Sequence, residues 1–144
     1  MKRFSCLVVV LTFLMALSSL QGYAAGQAKQ QTFASPEEAV KTLIDAVKSD
    51  NQEQLMAVFG PTAKRVLSSG DPVEDREVRE RFLTAYDAKN TLISEGGAMV
   101  VLQVGTEDWP FPIPLVKKGE RWSFDTQKGK EELNNRRIGR NELS

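Results

Sequence analysis

The sequence predicts an α+β domain: N-terminal helices packed on one face of a small antiparallel sheet, with a short C-terminal helix. Three observations carry this. Apolar residues recur at helical spacing between residues 36 and 89. From residue 91 the period falls to two, as in strands. One of those strands alternates proline with large apolar residues. Helices first and a meander after them give segregated layers rather than a βαβ sandwich.

The chain starts before that domain. Lys2 and Arg3 precede an apolar run from Cys6 to Leu17, broken only by Thr12, and small residues follow at Gly22 and Ala24. A basic start, a short apolar stretch and a small-x-small site define a secretory signal peptide. The run is shorter than the roughly 20 residues that cross a bilayer. Cleavage is expected after Ala24, giving a periplasmic or secreted protein that meets the membrane only through residues 1–24. Residues 25–34, rich in glutamine, read as a flexible leader, and residues 35–144 as a single domain.

Ser35-Pro36-Glu37-Glu38 places a cap, a proline at the first helical position and an acid at the third. Ala39, Val40, Leu43, Ile44 and Val47 then mark an amphipathic helix over 36–48. A second helix carries Leu55, Met56 and Phe59 up to Gly60-Pro61, and a short helical stretch passes through Val66 and Leu67. Asp71-Pro72-Val73-Glu74 repeats the start signal. The helix from Pro72 to about Lys89 is charged, with Asp75/Arg79 and Glu77/Arg81 four apart for mutual support, and its apolar face is narrow. It is expected on the surface of the sheet.

Thr91–Ser94, the Gly96-Gly97 turn and Ala98–Val104 read as a hairpin. In Trp109-Pro110-Phe111-Pro112-Ile113-Pro114-Leu115-Val116, alternation puts the large apolar residues on one face and the missing N–H groups along one side. Proline is confined to sheet edges for that reason, so an edge strand is expected. Trp122 and Phe124 share a face of the last strand, and a final helix capped by Asp125 or Thr126 is expected to end at Gly139. The helix-then-meander order is similar to cone-shaped domains of the nuclear-transport-factor-2-like type, an analogy of fold alone.

Four stretches resemble the bacterial exported family known as domain of unknown function 2950. They are Ser35–Val40, Ser69–Val73, Trp109–Lys118 and Asn135–Leu143, and together they span nearly all of the mature chain. The resemblance implies an exported envelope protein without an established activity, and no catalytic residue comes with it. Members of that family continue past the Asn-Glu-Leu stretch, so it also implies a second part that this chain lacks.

Composition removes several chemistries. The chain has no histidine, and its one cysteine is Cys6, inside the apolar run. The usual neutral-pH general base, Ser-His and Cys-His nucleophiles and imidazole or thiolate metal ligands are therefore absent. No cofactor is expected, and there is no phosphate-cradling glycine motif. Once Lys2 and Arg3 leave, 17 basic residues face 19 acidic ones, which gives no footprint for nucleic acid.

Candidate binding residues remain. Asp108, Trp109 and Phe111 sit at the start of the proline strand, where the aromatics read either as core or as a platform for a sugar or peptide. Arg136, Arg137 and Arg140 cluster near the C-terminus, where cations suit a helix end or grip a carboxylate or phosphate. Glu107/Asp108 and Glu131/Glu132 are the carboxylate pairs available for acid–base work. The expected function is a non-enzymatic binding or interaction module of the cell envelope, meeting a protein or small ligand. The alternative is a carboxylate-dependent hydrolase.

Overall fold

The computed structural model describes residues 29–142, so the signal segment read at 1–24 lies outside the described residues. Helices start where a side-chain oxygen takes up an unpaired N–H of the first turn. Ser35 Oγ accepts from the N–H of Glu38 and opens α1 (Pro36–Lys48). Glu38 returns the favour by accepting from the N–H of Ala34. Asn51 accepts from Gln54 at the start of α2 (Gln52–Phe59), and a short α3 (Ala63–Leu67) follows. Asp71 accepts from Val73 and Glu74 to open α4 (Pro72–Ala88). Asp125 accepts from Lys128 at the head of α5 (Thr126–Glu142).

The strands are β1 (Asn90–Ser94), β2 (Met99–Val104), β3 (Trp109–Pro110), β4 (Leu115–Lys118) and β5 (Arg121–Phe124). All pairings are antiparallel, in the order β1-β2-β4-β5, and β3 also pairs with β2. On β2, Val100, Leu102 and Val104 are buried while the residues between them are half-buried, so one face of the sheet meets the core. Six residues of α1 are buried there: Ala39, Val40, Leu43, Ile44, Ala46 and Val47. α1 and α2 pack at β5, and α4 lies over β1 and β2. The α+β class is as the sequence predicts.

The proline strand differs from expectation. It is two strands: β3 pairs on one side only, with β2, and keeps the expected open edge, whereas β4 pairs on both sides. Pro110 pairs opposite Gln103 and Leu115 opposite Val100, so residues 111–114 span a stretch that β2 covers with Val101 and Leu102 alone. Four residues against two force the chain out of the ladder. Phe111 still donates to Leu102 O, the last backbone bond before the detour. The detour turns Pro112, Ile113 and Pro114 into the core, where all three are buried. β4, which holds no proline, can then bond on both sides, to β2 and β5.

The leader expected over 25–34 is not free where it is described. Gln31 N–H donates to Ala57 O, and the Gln30 amide donates to both Val58 O and Phe124 O. Phe33 exchanges backbone hydrogen bonds with Trp122 and is only 1% exposed. Phe33 thus adds an isolated bridge beside β5, held by a buried aromatic ring that the polar composition around it conceals. α5 also continues through Gly139 to Glu142.

Phe59, Phe111 and Phe124 meet at 5.1–6.4 Å between ring centroids, and Phe82 of α4 joins Phe111 at 5.3 Å. Thr126, the one buried polar residue among the described residues, donates its hydroxyl to Phe59 O at 2.6 Å and ties α5 to the end of α2.

Candidate functional site

Between β2 and β3 the chain reverses in the turn 105–108. Gly105, at φ +80°, donates its N–H to both Ala85 O and Lys89 O at the end of α4. Asp108 also has a positive φ, 53°, a conformation that aspartate tolerates better than most residues. Its carboxylate meets Lys89 Nζ at 2.6 Å. The turn is therefore pinned to the C-terminal end of α4, and this fixes where Trp109 emerges.

Trp109 pairs opposite Val104, yet its side chain is 45% exposed. Arg136 reaches it from α5, with the guanidinium carbon 5.2 Å from the ring centroid. The guanidinium is oriented by two hydrogen bonds: Nη2 donates to Pro110 O at 3.0 Å and Nε to Glu132 Oε1 at 2.7 Å. Pro110 matters twice here, because it ends the ladder and leaves a carbonyl facing α5. An exposed contact of this kind stabilises by about 0.5–1 kcal/mol.

Beside this corner lies an open groove of about 570 Å³ between α4 and the β2–β3 turn. Glu77, Glu80, Arg81 and Thr84 of α4 form one wall, at helical spacings of three and four that place them on one face. Ala85 and Val104 lie beneath, and Glu107 and Trp109 stand opposite.

The six candidate residues separate on folding. Asp108, Trp109 and Arg136 come to the same corner, although Asp108 spends its carboxylate on Lys89. Phe111 does not share that corner: its ring is half-buried and packs against Phe59, Phe82 and Phe124 beside the core. The detour explains the reassignment, since a strand that leaves the ladder after Pro110 no longer keeps Trp109 and Phe111 side by side. Arg137 and Arg140 are exposed farther along α5.

The carboxylate pairs are divided among different partners. Asp108 goes to Lys89, Glu131 accepts from Gln127, and Glu132 accepts from Arg136. Among the described residues no group of three or more acidic or cysteine side chains could hold a metal ion, and no helix is long and apolar enough to cross a membrane. Glu132 was read from the sequence only as half of a carboxylate pair and Glu77 only as the partner of Arg81; Glu80 and Thr84 were not singled out. Their signal was present in the 77, 80, 81, 84 spacing, which reads equally as a solvated helix face.

Fold and corner together define a small α+β domain that presents one open, polar groove ending at an aromatic–arginine pair. The chain belongs to the family described as "Protein of unknown function (DUF2950)", whose model matches residues 30–144. The match begins at the docked Gln30, in keeping with a domain that starts before Ser35. No curated protein and no solved structure matches the chain.

Proposed function

We propose that this is an exported binding module whose contact surface is the Trp109–Arg136 corner and the groove beside it. One observation carries the reading: a tryptophan, a residue type enriched in binding hot spots, stays 45% exposed with the Arg136 guanidinium over its ring. The pinned turn before it and the oriented Arg136 beside it reduce the ordering that binding would cost. The hydrolase reading draws no comparable support, because the adjacent carboxylates serve three separate local partners. Export rests on residues 1–24, with removal after Ala24.

The test is mass spectrometry of the protein purified from its producing cells, first under native and then under denaturing conditions. The denatured mass reports whether residues 1–24 are gone. A discrete extra mass in the native spectrum, lost in Trp109→Ala while the fold persists, is the expected result. Retention of the extra mass in Trp109→Ala would remove the corner from the function. A large loss of stability in that variant would make Trp109 a structural residue.

A further inference from the structure

We infer that the groove between α4 and the β2–β3 turn accepts an extended cationic peptide segment, bearing arginine or lysine. This inference rests on the corner being a binding surface, and adds the chemical class of what it binds. The molecule contains its own example of the recognition. Arg136 lies over Trp109 at 5.2 Å while Glu132 holds its Nε at 2.7 Å, so one cation is shared by an indole and a carboxylate. The groove offers the same combination a second time, with Trp109 and Glu107 on one side and Glu77 and Glu80 on the other. Arg81 is the one basic residue in that lining, against three glutamates. The excess of negative charge is thus matched to a positive occupant.

Shape narrows the class. The hollow is wide open, and its α4 wall runs from Glu77 to Ala88 along three helical turns. An enclosed small molecule would leave most of that wall empty, whereas an extended chain can set successive cations against it. Thr84 and Thr106 add hydroxyls along the path, able to pair with a peptide backbone. Contacts of this exposed kind are individually weak and salt-sensitive, so the binding is expected to be electrostatically steered and rapidly reversible.

The experiment is calorimetric titration of the intact chain with tetra-arginine at low and at high salt, with tetra-glycine as the neutral probe. Saturable binding of tetra-arginine at low salt, weakened at high salt, is expected. Trp109→Ala and the triple variant E77Q/E80Q/E107Q should each weaken it about tenfold, a loss consistent with several exposed charge and cation–π contacts. All three glutamates are exposed, so an unchanged melting midpoint verifies that the triple variant is folded. Absence of tetra-arginine binding, or binding undiminished in the triple variant, overturns the inference. Binding of tetra-glycine that needs Trp109 but not the glutamates would also overturn the cationic class, while leaving the corner as a contact surface. Unfolding of Trp109→Ala would bring down both readings.

Discussion

α1 and α4 begin with the same device and end up in opposite roles. Each has a polar cap, a proline at its first position and acids in its first turn. Yet α1 buries six of its 13 residues, while α4 buries none of its 17. Capping satisfies the free N–H groups and so fixes where a helix begins. Whether that helix becomes core or cover is decided by its apolar stripe. α1 has a broad one. α4 offers Phe82, Leu83, Ala85 and Tyr86, which are half-buried, and leaves Val73 and Val78 in solvent. The groove follows from this: a helix that only covers the sheet leaves its outer flank free to carry Glu77, Glu80 and Thr84.

The comparison can be broken most directly by truncating one residue on each helix. Leu43→Ala, on α1, should cost about 2–5 kcal/mol in denaturant unfolding, since its side chain is almost wholly enclosed. Val78→Ala, on α4, should stay within about 0.5 kcal/mol. Equal losses would mean that α4 is as much core as α1.

A second contrast lies at α5. Gly129 sits against the proline detour, and a Cβ placed there would meet Ile113 Cγ1 at 2.5 Å and Ile113 Cα at 3.2 Å. Gly129→Ala should therefore destabilise by about 1–3 kcal/mol, although alanine is the better helix former. Gly139, with open space around it, should gain from the same change. Thermal melts of the two variants would shift in opposite directions.

The caps should sharpen the comparison by agreeing where the cores differ. Ser35→Ala and Asp71→Ala are each expected to cost about 1 kcal/mol, because each removes the same kind of bond to a first-turn N–H.

How much of this was legible in the sequence depends on the range of the information involved. Helix starts are local: Ser35 and Asp71 announce themselves within four residues. The period change at residue 91 is also local, and it separates helices from sheet correctly. Pairing is not local. The prolines at 110, 112 and 114 suggested one edge strand, which holds at Pro110, but a strand read alone cannot show that the chain will leave the ladder and return at Leu115 between two partners. Phe33 was hidden for the same reason, since its partner Trp122 lies 89 residues away. At the site, Trp109 and Arg136 could be singled out separately, but their meeting depends on that detour and on the length of α5.

The smallest expected effect is one of pH. The Asp75 carboxyl is held below its ordinary value of 3.8, chiefly by the backbone N–H of Ser69 and then by the Ser69 and Ser68 hydroxyls. A lowered carboxyl stabilises the folded state above that ordinary value, and the contribution is lost as pH falls through the folded one. The 68–71 loop should loosen at acid pH, visible as a fall in amide protection relative to the intrinsic exchange rate at each pH, and Asp75→Asn should abolish that pH-dependent fall. Arg79, four residues on, does not serve as its close partner and reaches Asp50 at 3.4 Å instead.

The interlock of the two ends of the domain bears on how it is made. Gln30 and Phe33 are fastened to Phe124 and Trp122, and Thr126 closes on Phe59. During synthesis the amino end is available first and its partners at Ala57 and Val58 follow, but Phe124 emerges only 94 residues after Gln30. Early segments have no finished edge to dock on, so the core cannot close from one end. The core of this domain therefore stays open until β5 and the head of α5 have emerged.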